Sequence, residues 1–125
     1  MRKILIMAAV LIVSGMEAVE VHAAIVGKCK ACHHFTEKNK VGPGLKDVIG
    51  RAAGTHAGFK YQPDLGKGGW NWDEDHLRQW MCSSQDAIKA FSGKPNAKTR
   101  MPSQKICDQA KQDEVLAELR KISSH

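Results

Sequence analysis

Long apolar runs are missing from this sequence. The longest, Ile4 to Val13, holds ten residues, about half of what a bilayer-spanning helix requires, so no transmembrane segment is expected in the mature chain. Period-two alternation of apolar and polar residues is missing too, which argues against strands and leaves an all-α fold class. Cysteine is scarce: Cys29 and Cys32 form one C-x-x-C, and the two others, Cys82 and Cys107, stand 25 positions apart. Without a second C-x-x-C the chain lacks the usual framework of a four-thiolate zinc site. The lysines, from Lys28 through Lys46, Lys67 and Lys94 to Lys105, are scattered and have no aromatic platform between them, so no nucleic-acid partner is expected. No repeat, low-complexity block or interdomain linker interrupts the chain.

What is present starts with a basic tripeptide, Met1-Arg2-Lys3. The ten-residue apolar run follows, and then the small-residue-rich Ser14-Gly15-Met16-Glu17-Ala18. This is the three-part layout of a secretory signal peptide. Residues 1–18 are read as a leader cleaved after Ala18, with cleavage after Ala23 as the alternative, because Val21-His22-Ala23 also resembles a processing site. Residues 19–125 then form one small domain, expected in the periplasm. The net charge of +6 falls by one when Arg2, Lys3 and Glu17 are removed. A modestly basic surface suits long-range attraction to an acidic redox partner, and it equally suits plain solubility.

Cys29-Lys30-Ala31-Cys32-His33 carries the most specific chemistry. Two thiols three positions apart can each form a thioether to one vinyl group of a haem, and the next residue then offers an imidazole to the iron. A bare C-x-x-C also occurs in redox dithiols and as half of zinc sites. His33 is what favours one covalently attached haem c.

The rest of the chain is organised around that motif. Val19, Ala23 and Val26 make a helical stripe leading into the cysteines. From His34 to Trp70 the density of glycine and proline rules out long regular elements, so this middle must fold as loops around something. A bound haem would supply it, since a small chain with so little regular structure would otherwise struggle to bury a core. Asp73 to Cys82 reads as a helix: acidic residues open it, and Leu77, Trp80 and Met81 fall at i, i+3 and i+4. Asp108 to Ile122 reads as another, capped by Asp108 and carrying Val115, Leu116, Leu119 and Ile122 on one side. Between them lies a loop holding Met101.

Two methionines remain after leader removal. Met81 lies on an apolar helix face, where methionine usually fills a core. Met101 sits in Thr99-Arg100-Met101-Pro102, with no periodicity to explain it and a proline restricting the backbone. Met101 is therefore preferred as second axial ligand, over Met81 and over His22, His34, His56, His76 and His125. His34 adjoins His33 and reads as a surface residue.

From Ala24 to Ile122 the chain resembles a class I cytochrome c, the small monohaem family with histidine and methionine ligation. Val41-Gly42-Pro43-Gly44-Leu45 resembles the family's loop in which a proline carbonyl holds the second nitrogen of the ligand imidazole, a role that falls to Pro43. Gly50-Arg51 and Gly58-Phe59-Lys60-Tyr61 are similar to segments whose arginine and tyrosine meet the buried haem propionate. Trp72, in Trp72-Asp73-Glu74-Asp75-His76-Leu77, resembles the tryptophan that donates to the same carboxylate, although the nearby Trp70 could exchange roles with it. A buried carboxylate needs such donors on physical grounds alone. Trp80 falls at the family's aromatic position near the methionine sulfur, but no hydrogen bond to the sulfur is carried over, because indole has one donor and no hydroxyl.

The departures matter as well. Ile25, Val26 and Leu119 stand where the family packs aromatics between its first and last helices. No proline follows the central helix. Cys82 and Cys107 bracket the Met101 stretch and in an oxidising compartment could pair as a disulfide.

Function follows from coordination. With both axial positions filled there is no vacancy for oxygen or peroxide, and a methionine thioether favours the reduced state. The expected role is electron carriage between a donor and an acceptor protein, as a monomer or as the haem subunit of a larger oxidoreductase. A peroxidase-like enzyme would need a distal acid or base, and none is identifiable.

Overall fold

The computed structural model describes residues 24–66 and 69–124. The leader, residues 1–18, and both candidate cleavage points at Ala18 and Ala23 lie outside the described residues, as do Val19, His22 and His125. Within them the architecture is helical. The first helix, α1, is described over residues 24–30. It is followed by α2 (Pro63–Gly66), α3 (Glu74–Cys82), α4 (Ser84–Ser92) and α5 (Gln109–Lys121). Among the described residues the sole β feature is an isolated bridge between Ala52 and Asn71.

Local chemistry accounts for where α3 and α5 begin. Asp73 caps α3, its carboxylate accepting the His76 N–H at 2.7 Å, and Glu74 and Asp75 complement the dipole of the first turn. The cap contact holds the Asp73 carboxyl below its ordinary value, with the His76 backbone N–H as the largest cause. Asp108 caps α5 through the Lys111 N–H at 3.0 Å, and Arg120 and Lys121 occupy the last turn. These two helices match the sequence expectation to within a residue at each end.

The helix α4 departs from the sequence expectation, which has the whole stretch up to Met101 as loop. Its signals are present but short. Ser83 and Asp86 form a capping pair, with the Ser83 hydroxyl accepting the Asp86 N–H, and Gly93 ends the helix at φ 68°. A single residue, Ser83, serves as C-cap of α3 and N-cap of α4.

The core joins faces at helical spacing. Leu77, Trp80 and Met81 of α3 meet Val115, Leu116 and Leu119 of α5 and Ala87 and Ile88 of α4 in one cluster. Val26 and Leu119 are buried and Ile25 packs against the cluster, so the position between first and last helices is apolar without an aromatic pair. Ile88 and Leu116 are fully enclosed, where truncation to alanine costs about 2–5 kcal/mol.

The glycine-rich middle folds back on itself as loops. Backbone bonds from Gly50 to Trp72, from Trp72 to Arg51 and from Ala53 to Trp70 bring two tryptophans against residues 50–53. Gly54, at φ 74°, cannot be replaced without strain, because an added Cβ would also meet the Leu65 carbonyl.

Candidate haem site

The end of α1 sets the first part of the site. The Cys29 carbonyl accepts both the Cys32 N–H at 3.2 Å and the His33 N–H at 2.9 Å. That final turn keeps positions i, i+3 and i+4 on one side of the chain. Both thiols are free and half-buried. Burial pushes the Cys29 thiol up, with Lys28 partly offsetting it.

The His33 ring is oriented by its neighbours. Its Nδ1 lies 2.7 Å from the Pro43 carbonyl oxygen, and because a carbonyl can only accept, Nδ1 carries the proton and Nε2 keeps its lone pair. Burial is the main cause that lowers the His33 pKa. The Pro43 bond opposes it and Arg51 adds to it. The net lowering favours the neutral imidazole, the form that binds a metal. Gly42 is required here: a Cβ would fall 2.6 Å from Nδ1 and 2.9 Å from Nε2 of His33.

A cavity of about 210 Å³ is lined by these residues and by Arg51, Tyr61, Trp72 and Met101, too large to be a packing defect. All eight haem-site residues named from the sequence therefore face one space, while Cys82 and Cys107 do not. Met81 lines it too, buried within the α3 core face. Of the histidine alternatives, His34 is exposed and neither His56 nor His76 lines the cavity. Between the two tryptophans the geometry favours Trp72, since Trp70 is buried edge-on against it at 5.7 Å and does not reach the cavity.

One expectation is corrected. The Trp80 indole does donate to the Met101 sulfur, Nε1 to Sδ, at 2.9 Å. An indole lacks a hydroxyl, but its single N–H is sufficient for a thioether acceptor.

The sequence reading also missed His56, which it weighed only as a remote ligand. Arg51 donates to its Nδ1 at 2.9 Å, its Nε2 reaches the Glu37 carbonyl at 2.8 Å, and its backbone N–H donates to the Tyr61 hydroxyl at 3.1 Å. Arg51 further donates to the carbonyls of Lys46 and Gly44, both at 3.1 Å. Three of its five donor hydrogens are thus engaged, and Tyr61 keeps its own O–H. Burial lowers the Arg51 pKa, opposed by Tyr61 and Asp47.

Cys82 and Cys107 lie with their sulfurs 1.93 Å apart, at bonding distance, across 25 positions of sequence.

The donor set fits a covalent haem: two thiols at attachment spacing, an imidazole with a free Nε2, a thioether on the same cavity, and donors for a buried carboxylate. Comparison with known proteins agrees. The chain is 38% identical over 79 residues to cytochrome c2 of Pararhodospirillum photometricum, spanning 59% of this chain and 70% of that protein. It is 32% identical over 99 residues to a cytochrome c2 of Rhodopseudomonas palustris, spanning 72% and 86%. The solved cytochrome c2 from Rhodospirillum centenum superposes with a TM-score of 0.72 at 30% identity, covering 83% of this chain and 97% of that one. No protein-family model matches the chain. The chain belongs to the class I c-type cytochromes, and its relatives within that class include cytochromes c2. It is a carrier of single electrons through one covalently bound haem c, not an enzyme.

Proposed function

We propose that Cys29 and Cys32 attach the haem, that His33 and Met101 are its axial ligands, and that electrons pass in the periplasm between two protein partners. The haem supplies a one-electron iron couple. The chain's own residues hold it: Pro43 fixes the imidazole, Trp80 holds the thioether, and Arg51, Tyr61 and Trp72 meet a propionate. The observation that carries the ligand assignment is the Trp80 bond to the Met101 sulfur on the cavity that also holds His33.

Residues 1–18 are proposed as the export signal, with Ala18 as the cleavage point. Among the described residues no helix is long and apolar enough to cross a membrane. The oxidising compartment that such export implies is where Cys82 and Cys107 would persist as a disulfide. Val41, a large hydrophobic residue left 74% exposed, lines the haem cavity. That placement suits a free carrier docking through the cavity side, on partners whose acidic surface would complement the basic charge. A subunit role would call for an apolar patch elsewhere. Purification from periplasm tests this, because a carrier should elute alone and a subunit with its enzyme.

The ligand assignment is tested by Met101→Ala. The ferric protein should show the weak near-infrared iron–sulfur band, and the variant should lose it, fall in potential and bind cyanide or carbon monoxide. An unchanged spectrum would move the ligand to Met81 or to a histidine.

A further inference from the structure

We propose that Ser84 and Gln85, the first two residues of α4, are positioning residues for the axial methionine. They clamp the backbone of Met101 so that its sulfur stays where the haem needs it. The proposal rests on the reading of Met101 as ligand.

The Met101 carbonyl accepts from Ser84 Oγ at 2.7 Å and from Gln85 Nε2 at 2.9 Å. Two donors occupy both lone pairs of that oxygen. The same Gln85 amide donates to the Thr99 carbonyl at 3.0 Å, and the Thr99 hydroxyl oxygen accepts the Met101 N–H at 3.3 Å. Beyond the methionine, the Ser103 hydroxyl oxygen accepts the Gln85 backbone N–H at 3.4 Å. Residues 99, 101 and 103 are therefore all bound to two consecutive residues of one helix. Ser84 is 0% exposed, so its hydroxyl has no water to turn to and must keep a protein partner.

The side chain is held separately. Trp80 on α3 reaches the sulfur, and α3 meets α4 at Ser83. Backbone and sulfur of Met101 are thus fixed from the two arms of one helical elbow. A ligand delivered from a free loop must reorder its backbone each time it rebinds. The clamp keeps that backbone ordered while the sulfur is off, so dissociation is followed by return and not by loop escape.

The test uses the haem-loaded protein with Ser84→Ala and Gln85→Met, singly and together, and Gln85→Glu, which keeps the size of the side chain but lacks the amide donor. Imidazole is titrated into the ferric protein while the near-infrared band reports methionine displacement, and denaturant unfolding of the helices is followed in parallel. Ser84→Ala should make displacement about five-fold easier, the equivalent of one net hydrogen bond, and Gln85→Met, which removes two, should do so by more. The double variant should exceed either, and Gln85→Glu should match Gln85→Met. The helix unfolding midpoint should move much less than the displacement. Variants that keep the band and resist imidazole like the unsubstituted protein would overturn the clamp. Parallel losses of equal size in displacement and unfolding would also overturn it, by reducing the pair to ordinary helix-start residues. Should Ser84→Ala fail to fold, the two partly exposed Gln85 variants decide the matter alone. Absence of the band from the unsubstituted protein would overturn the ligand reading itself.

Discussion

The histidine and methionine sides of the cavity are built on different plans. On the histidine side the supports are local: His33 follows the attachment cysteines directly, Pro43 is ten positions away, and the Gly42 N–H returns to the Cys32 carbonyl at 2.7 Å. The methionine side draws on contacts 16 to 25 positions apart. Trp80, Ser84 and Gln85 reach Met101, the Met81 and Cys82 carbonyls accept from Ile106 and Lys105, both at 3.1 Å, and Cys82 meets Cys107. The difference follows from bond strength. A ligand adjoining two covalent anchors needs only its ring orientation set, whereas a weak thioether on a loop needs the loop itself to be held.

That contrast can be broken from either side. The largest effect is expected from Cys29→Ala with Cys32→Ala, which removes the covalent anchor: organic extraction of the denatured protein should release all haem from the variant and none from the parent. Reduction of the Cys82–Cys107 pair is expected next. The chain-entropy model gives about 3.5 kcal/mol for a loop of this length, so the unfolding midpoint should fall and the near-infrared band should be lost at lower denaturant. The haem itself should stay bound, because thiol exchange does not cleave thioethers. Two alkylatable thiols in freshly isolated protein would show that no bridge forms.

Gly42→Ala should cost about 1–3 kcal/mol by overpacking against the His33 ring, read as a lower unfolding midpoint and a perturbed haem spectrum with the methionine band retained. If that band disappeared first, the two sides would not be independent. The smallest effect is expected from Trp80→Phe, which keeps a ring but removes the donor to sulfur. It should lose about 1 kcal/mol of methionine binding, measured by imidazole displacement.

Legibility in the sequence divided along the same line. Residues joined by short spacing were readable: the attachment motif, the glycine-proline loop at 41–45, and the capped helices α3 and α5 all state their geometry within one or two turns of chain. Apart from Cys82 and Cys107, which were named as a pair, residues joined by long separations were named as types but not as contacts. Short spacing was not always enough: Arg51 reads as a donor, yet nothing in the sequence tells that His56, five positions on, will take one of its hydrogens while anchoring Tyr61. Ser84 and Gln85 read as the polar start of an unremarked segment. The helix they open buries only Ser84, Ala87 and Ile88, too brief a stripe to stand out, and their carbonyl partners lie 14 to 17 positions ahead.

Asp47 adds a kinetic consequence. It adopts a left-handed φ of 57° without being glycine, a conformation that costs about 1–2 kcal/mol. Its N–H donates to the Ile122 carbonyl at 3.1 Å, and its carboxylate accepts the backbone N–H and the hydroxyl of Ser124 at 2.5 and 3.1 Å. The stitch spans 77 positions, and such distant closures form late because loop entropy must be overcome before the contact rewards it. During synthesis this contact cannot close until Ser124 has emerged. The bonds of Arg51 to Gly44, Lys46 and His56 need no such wait, so the Asp47 stitch is the last fastening made on that side of the cavity.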